Sequence, residues 1–208
     1  PMNTIIGFAE ILEEEIKRPE HSDYMRLIKS SAENMLLLIN DILDLSKIES
    51  NRINIDLQKM DIKKLIDELR ALTEPQTKKK NINLSVCYHG IVPDIIISDP
   101  VRLRQCLTNL LSNAVKFTEK GFIRIDVASE NTTSNKCIHI SVADSGIGIE
   151  ENRLNDIFSP FIQAQKNTEK DYGGTGLGLT ITKKLVSMLG GKITCQSTPK
   201  QGSKFTIT

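Results

Sequence analysis

The chain has 208 residues, of which 27 are basic and 26 acidic, so its formal net charge is +1. This length suits one medium domain or two small ones and is enough to bury a hydrophobic core. The balanced charge argues against a nucleic-acid partner, and neither a secretory signal nor an apolar run of about 18 residues is present. We therefore expect a soluble, cytoplasmic protein that reaches a membrane only through parts outside this chain.

Residues 1–50 have a helical pattern. The first helix carries apolar residues at alternating three- and four-residue steps: Met2, Ile5, Ala9, Leu12 and Ile16. Pro19 is predicted to interrupt it, and Ser22 or Asp23 would cap a second helix with the same spacing of apolar residues. The sequence starts at Pro1 rather than at Met and stops within a strand-like alternation, which indicates a fragment of a longer protein.

Additional leucines widen the apolar surface of the second helix. Two such helices joined by a short turn form an antiparallel hairpin. Because a hairpin with two apolar faces cannot bury both alone, we predict that it dimerises to a four-helix bundle. The alternative is that the extra leucines pack on the rest of the same chain.

Residues 51–57 lose the helical pattern and are interpreted as a connector between two domains, 1–52 and 53–208. The second domain has a mixed pattern, and several antiparallel strands with helices that cover one face predict an α/β sandwich. Its predicted elements are a helix after Asp61 with Pro75 near its end, strands 82–88 and 95–97, a long helix after Asp99-Pro100, strands 122–128 and 137–143, helix 177–189 before Gly190-Gly191, and strands 192–197 and 203–208.

The four cysteines lack the spacing of metal ligands. Each lies within an apolar strand or helix pattern, so we interpret them as buried, reduced thiols of a cytosolic protein. They are Cys87, Cys106, Cys137 and Cys195.

One face of the helix from 101 to 117 is polar in three- and four-residue steps: Arg102, Gln105, Asn109, Asn113 and Lys116. Asparagine is a poor choice for a merely solvated helix interior, because its side chain competes with the backbone. An asparagine oxygen can coordinate Mg²⁺, and a lysine can neutralise phosphate. The alternative is an ordinary polar face.

Two glycine clusters follow this helix. Asp144 ends a predicted strand and precedes Gly146 and Gly148, which would let the backbone approach a ligand amine closely; the alternative is a plain turn. Gly173-Gly-Thr-Gly176 opens a helix whose N–H groups favour phosphate. Together the three features outline a nucleotide pocket.

These segments resemble the conserved core of two-component sensor histidine kinases. The residues that carry the resemblance are Asn109-Leu-Leu-Ser-Asn-Ala-Val-Lys-Phe-Thr118 (N box), Asp144-Ser-Gly-Ile-Gly-Ile149 (first G box), Phe158-Ser-Pro-Phe161 (F box), Gly173–Leu179 (second G box) and Gly202-Ser-Lys-Phe205. The resemblance extends across nearly the whole chain. It implies a dimerisation and phosphotransfer hairpin, truncated at its N-terminus, followed by a catalytic ATP-binding α/β sandwich of the Bergerat (GHKL ATPase) type.

The resemblance also implies the ligands and the residues that bind them. Asp144 would accept a hydrogen bond from the adenine amino group, Asn113 assisted by Asn109 would hold Mg²⁺, and Lys116 would contact phosphate. Residues 162–172 would form a lid over the triphosphate. Further contacts to ATP are expected from Gly146, Gly148, Lys170, Gly174, Thr175, Gly176, Leu177 and Gly178.

In this family a histidine near the start of the first helix accepts the γ-phosphate, and the matching position lies upstream of Pro1. His21 is expected in the turn between the helices, and His89 and His139 on strands, so none of them is assigned the role. The resemblance implies an ATP-dependent protein-histidine kinase that passes the phosphoryl group to an aspartate of a response-regulator receiver domain. Two alternatives stay open: a dimerisation and docking module that binds nucleotide without turnover, and another ATPase of the same superfamily.

Overall fold

The computed structural model describes residues 4–6, 12, 19–50, 52–131, 136–162 and 175–208. The chain divides into two compact units, Pro1–Ser50 and Asn51–Thr208. Among the described residues, no helix combines the length and the apolar character that crossing a membrane requires.

The first unit contains helix α1, Pro19–Glu49. His21 lies within this helix, so the predicted turn there is wrong, and Ser22 and Asp23 lie inside the helix rather than at its cap. The predicted interruption of the first helix at Pro19 stays a prediction, because residues 13–18 lie outside the described residues. A proline is tolerated in a first helical turn because its missing N–H would have no intrahelical partner there. Most large apolar side chains of α1 are exposed within this chain, including Leu27, Ile28, Met35, Leu37, Leu38, Ile39, Ile42 and Leu43.

The second unit is the predicted α/β sandwich. A five-stranded sheet has the order β2-β4-β5-β7-β6, and a separate two-stranded sheet pairs β1 with β3. The elements are β1 Gln58–Asp61, α2 Ile62–Lys79, β2 Ile82–His89, β3 Ile95–Ser98, α3 Pro100–Phe117, β4 Gly121–Asn131, β5 Lys136–Asp144, a 3-10 helix Glu151–Arg153, α4 Gly178–Met188, β6 Ile193–Thr198 and β7 Gly202–Ile207.

Two features of this unit differ from the sequence prediction. Strand β2 pairs parallel to β4, whereas the other pairs are antiparallel, because the connection between β2 and β4 includes a helix that reverses the chain. Pro75 lies inside α2, which continues to Lys79. The N–H that Pro75 lacks would have bonded to the carbonyl of Ala71, a residue that is exposed.

The core lies between the sheet and the helices. Ile123, Ile125 and Val127 of β4 alternate toward the helices and are fully buried. The opposite face of the sheet, which we call the open face, is polar: Asp126 of β4 lies across from Ser141 of β5 on it.

All four cysteines are free thiols, but only Cys106 is buried. The other three are half-buried. Cys87 pairs with Asp126 and Cys137 with Glu130 in the strand register, which places both on the open face. The predicted burial is therefore wrong for Cys87, Cys137 and Cys195.

Candidate nucleotide-binding site

Helix α3 begins at an Asp-Pro step that fixes its position. The Asp99 carboxylate accepts hydrogen bonds from the backbone N–H groups of Val101 and Arg102, each at 3.0 Å, and from that of Asp56 at 3.0 Å. Burial opposes the charge of Asp99, but these hydrogen bonds and the nearby Arg102 guanidinium outweigh it and hold the pKa below its ordinary value. The predicted start of this helix at the Asp99-Pro100 step is confirmed, and the Asp99 side chain caps it.

The other end of α3 is held by a lysine from the segment before β2. The Lys80 ammonium donates to the carbonyl oxygens of Val115 at 2.6 Å and Thr118 at 3.2 Å. A cation at the last carbonyls of a helix satisfies acceptors that lack intrahelical partners and complements the helix dipole. Both ends of α3 are therefore anchored within the unit.

The polar face of α3 differs from a solvated face. Its five predicted residues, Arg102, Gln105, Asn109, Asn113 and Lys116, are all half-buried. Thr108 and Ser112, which lie beside this face on the same helix, are exposed. The polar stripe thus lines a partly enclosed part of the surface.

The two asparagines of the stripe have different surroundings. The Asn109 side-chain amide donates to Thr182 Oγ1 of α4 at 2.8 Å, and a Cβ atom at Gly178 would overlap the Asn109 oxygen. For the Asn113 side chain, the described residues supply no hydrogen-bond partner. Asn109 therefore connects α3 to α4, while the Asn113 amide is available to a ligand.

Lys116 is a half-buried cation. Its ammonium lies 4.8 Å from the centre of the Phe117 ring, and within the described ranges no carboxylate forms an ion pair with it. Burial lowers the pKa of Lys116, because the charged form has lost water without gaining a counter-charge. An anion beside it would restore the lost stabilisation.

The first glycine cluster begins at the end of β5. The Asp144 Oδ1 atom accepts from the Gly146 backbone N–H at 2.8 Å. Burial raises the pKa of Asp144, and the backbone N–H groups of Gly146 and Ser203 oppose this only in part. A half-buried carboxylate with spare acceptor capacity is suited to a hydrogen-bond donor of a ligand.

Glycine is required in this cluster by contacts with neighbouring backbone. A Cβ atom at Gly146 would overlap the carbonyl oxygen of Phe117, and one at Gly148 would overlap that of Thr198. Gly148 also has a φ of +68°, which side-chain-bearing residues rarely adopt. The cluster is therefore packed between the end of α3 and the β6–β7 turn.

The second glycine cluster is described from Thr175 onward. The Thr175 hydroxyl accepts from the Leu177 N–H at 3.1 Å, and Gly176 has a φ of +68° with its carbonyl bonded to the Phe161 N–H at 3.1 Å. Among the described residues, no side chain caps the N-terminus of α4. The first-turn N–H groups of this helix suit an anion.

Two predicted site residues, Lys170 and Gly174, lie outside the described residues, and so does the predicted lid, residues 162–172, apart from residue 162. The remaining predicted residues all lie in the second unit.

Helix α3 connects the two glycine clusters. Asn109 contacts Gly178 at one end, and the Phe117 carbonyl accepts from Ile147 N–H at 3.3 Å at the other. Eight residues of helix span about 12 Å, and Asn113 and Lys116 lie between these contacts. The site therefore has Asp144 and the Lys116 cation toward the Phe117 end, the Asn113 amide in the middle, and a helix N-terminus at the far end.

Sequence reasoning missed several residues of this site. Thr182 orients Asn109, and the Ser203 N–H supports Asp144. Cys195 lies near Asp144: burial first, and the charge of Asp144 second, raise its pKa to about 12. The Thr118 hydroxyl is buried without a partner among the described residues. Local patterns could not find these contacts because each joins distant segments.

Comparison with known proteins agrees with this geometry. The sequence model of the family described as histidine kinase-, DNA gyrase B-, and HSP90-like ATPase matches residues 98–208. The model of the His Kinase A (phospho-acceptor) domain matches residues 1–51.

Individual proteins are similar over the whole chain. Sensor protein GacS of Pseudomonas syringae pv. syringae is 38% identical over 209 residues, which is 100% of this chain and 23% of GacS. Full-length ShkA, crystallised in complex with AMPPNP, has a TM-score of 0.80 at 30% identity, and the match covers 100% of this chain and 42% of the ShkA chain. The histidine kinase ThkA, in complex with response regulator protein TrrA, has a TM-score of 0.69 at 26% identity, and the match covers 99% of this chain and 56% of the ThkA chain.

The fold and the site thus define an ATP-binding domain of the histidine kinase, DNA gyrase B and HSP90 class. Within that class, the chain belongs to the sensor histidine kinases of two-component systems. It spans about a quarter of the length of the curated relatives that it matches.

Proposed function

We propose that ATP lies along α3 with its adenine at Asp144 and its phosphates toward Lys116 and the N-terminus of α4. The observation that carries this proposal is the chemistry gathered along one helix. A half-buried carboxylate acceptor lies beside its C-terminal end, Lys116 and Asn113 supply an uncompensated cation and an available amide, and the N-terminus of α4, which no side chain among the described residues caps, lies beside Asn109. A nucleotide has a hydrogen-bond donor at its base and negative charge at its other end, so it complements the site.

The residues present also fit Mg²⁺. The half-buried Asn113 oxygen is a hard donor without a partner in the described parts of the chain, which is the kind of ligand that Mg²⁺ takes beside phosphates. Asn113 would hold the ion, and Asn109, fixed by Thr182, would assist. When bound, Mg²⁺ would neutralise charge on the phosphate oxygens.

We propose further that residues 53–208 act as the catalytic domain and residues 1–52 as the dimerisation and phosphotransfer hairpin of a protein-histidine kinase. The γ-phosphoryl group would leave ADP and form a phosphorus–nitrogen bond to an imidazole, which loses its proton. Lys116 and the α4 N-terminus would position the phosphates and balance their charge, which is the main requirement of phosphoryl transfer.

The acceptor is proposed to be a histidine that precedes Pro1. His89 is bound to Asp126 at 2.8 Å and His139 to Glu130 at 3.2 Å. Both lie on the open face of the sheet. Asp144 pairs with Ile123 in the strand register and therefore lies on the other face, which packs against the helices. Neither imidazole therefore faces the proposed nucleotide.

The proposed partners are a second copy of the chain and a response-regulator receiver domain. The exposed apolar side chains of α1, such as Leu27, Met35 and Leu43, would be covered in a four-helix bundle of two hairpins. The receiver aspartate would then take the phosphoryl group. Sedimentation equilibrium should give the mass of two chains, and a monomer at all concentrations would contradict the bundle.

A labelling experiment tests the kinase proposal. The chain, extended upstream by its natural residues, is incubated with Mg²⁺ and ATP labelled in the γ-phosphate. We expect an acid-labile, base-stable phosphoryl group, which is typical of phosphohistidine. The Asn113→Ala variant should lose most of the label and should need more Mg²⁺ for what it retains.

The matched control is Thr108→Ala, because Thr108 is exposed on the same helix. It should be labelled like the parent. Binding of ATP without label in the extended chain would support the docking-module alternative, and label on His89 or His139 would contradict the proposed acceptor.

A further inference from the structure

A sulfur, a nitrogen and an oxygen ligand atom meet on the open face of the sheet, outside the nucleotide site. They belong to Glu130 at the end of β4 and to Cys137 and His139 at the start of β5, and all lie within 4.8 Å of one another. Glu130 pairs directly with Cys137 in the antiparallel register, and His139 is two residues further along β5. Because side chains alternate along a strand, Cys137 and His139 share one face.

The distances between these atoms match the edges of a tetrahedral metal site. Cys137 Sγ lies 3.7 Å from His139 Nε2 and 3.9 Å from Glu130 Oε2, and His139 Nε2 lies 3.2 Å from Glu130 Oε2. Zinc bond lengths of about 2.3 Å to sulfur and about 2.0–2.1 Å to nitrogen and oxygen place such ligands about 3.3–3.6 Å apart. The three atoms therefore need only small shifts to share one ion.

A fourth residue fixes the histidine in the required orientation. His139 Nδ1 lies 2.9 Å from the Thr208 hydroxyl, so that Nε2 faces the cysteine and the glutamate. A histidine ligand of a metal ordinarily uses its other ring nitrogen in such a hydrogen bond, which sets the tautomer and the ring position. Cys137 and His139 are half-buried, so the group is accessible to an ion from solvent.

We propose that Glu130, Cys137 and His139 bind one Zn²⁺ ion, with a water or an external ligand in the fourth position. The mixed thiol, imidazole and carboxylate set is typical of zinc rather than of Mg²⁺ or Ca²⁺, which take oxygen ligands. The Cys137 thiol releases its proton on binding, and the thiolate bonds to the metal.

This site is separate from the nucleotide pocket. Cys137 and Asp144 lie at opposite ends of the described β5, and seven residues of strand span about 23 Å. The metal would join the ends of β4 and β5 and, through Thr208, the residue that follows β7. Bound zinc should therefore stabilise the fold and leave ATP affinity unchanged, so a failure here and a failure of the proposed kinase function can be told apart.

The experiment uses the 208-residue chain, without a purification tag and freed of metal by a chelator that is then removed. Calorimetric titration with ZnCl2 should give one ion per chain, and the melting temperature should rise on addition of zinc. Titration with Co²⁺, which unlike Zn²⁺ has visible transitions, should produce a thiolate-to-cobalt charge-transfer band. Thr208→Val should weaken zinc binding by about 10-fold or more, as loss of an outer-shell partner does.

Matched variants identify the ligands. Cys137→Ser and His139→Gln should remove the saturable binding, and Cys137→Ser should also remove the cobalt band. Cys87→Ser is the control, because Cys87 is a half-buried thiol on the same face of the sheet, and it should bind zinc like the parent. Circular dichroism and the metal-free melting temperature check that each variant is folded. Absence of saturable zinc binding by the folded parent, or binding that Cys87→Ser abolishes and Cys137→Ser retains, would overturn the site and leave a metal-free hydrogen bond between His139 and Glu130.

Discussion

Replacing Asp144 with asparagine should weaken ATP binding by about 100-fold, which corresponds to about 2.7 kcal/mol. The carboxylate has two acceptor oxygens, and the backbone N–H groups of Gly146 and Ser203 already use part of their capacity. An asparagine has one oxygen and one N–H2 group. Whichever way the amide is turned, a donor would face either the backbone N–H groups or the adenine amino group. Calorimetry with ATP and Mg²⁺ measures the loss.

The same substitution should not destabilise the protein at neutral pH. Burial raises the pKa of Asp144 above its unfolded value, so the folded state binds the proton more tightly. The stability contributed by this group is therefore greatest at low pH, falls as the pH rises from the ordinary carboxyl range through the raised pKa, and is absent at pH 7. At pH 7 the parent must bury an ionised carboxylate, which costs free energy of folding, and the uncharged asparagine removes this cost. The melting temperature of Asp144→Asn at pH 7 should therefore equal or exceed that of the parent.

Asp126→Asn is the matched control, because Asp126 lies in the adjacent strand on the open face. Burial alone would raise the pKa of Asp126, but hydrogen bonds from His89 and Arg124 at 2.8 and 2.9 Å, with their charges, lower it. The stability that this group contributes is present above its unfolded pKa and lost at lower pH. Asp126→Asn should thus lower the melting temperature and leave ATP affinity intact. An Asp144 variant that binds ATP like the parent would refute the assignment of the adenine subsite.

Features set by local chemistry were predicted closely from the sequence. The Asp99-Pro100 step located the start of α3, and Gly190-Gly191 located the end of α4 to within a residue of the observed Met188. In both places the deciding interaction joins residues close in sequence: a side-chain cap in one case, and a positive-φ glycine, Gly190, in the other.

Features set by distant contacts were not predicted. The parallel pairing of β2 with β4 depends on where the intervening helix packs, which periodicity does not report. The short strand β1 contains one apolar residue, Met60, and forms only because it pairs with β3. The zinc ligands are a further case, since Glu130 and Cys137 have no recognised spacing and become neighbours through the strand register.

Gly148→Ala should lower the stability of the second unit by about 3 kcal/mol and abolish ATP binding. At a φ of +68° an alanine costs about 1 kcal/mol, and its Cβ would also overlap the Thr198 carbonyl, which adds about 1–3 kcal/mol as overpacking does. The backbone must move away from the β6–β7 turn, where Lys200 N–H bonds to the Ile147 carbonyl at 2.7 Å. Scanning calorimetry should show a melting temperature lower by about 6–12 °C.

Gly90→Ala separates the two causes of that loss. Gly90 has the same φ of +68°, but a Cβ atom there would have no neighbour within 4 Å. Gly90→Ala should cost only the backbone strain, about 1 kcal/mol, and should bind ATP like the parent.

The effect of Gly148→Ala on ATP binding is transmitted to Asp144 by a chain of contacts. Ile149 N–H bonds to Ser197 Oγ at 2.8 Å, Ser197 Oγ contacts Ser203 Oγ at 2.9 Å, and the Ser203 N–H supports Asp144. Equal losses of stability in the two variants would mean that strain alone requires glycine at 148, and that the close approach to Thr198 can relax without moving Asp144.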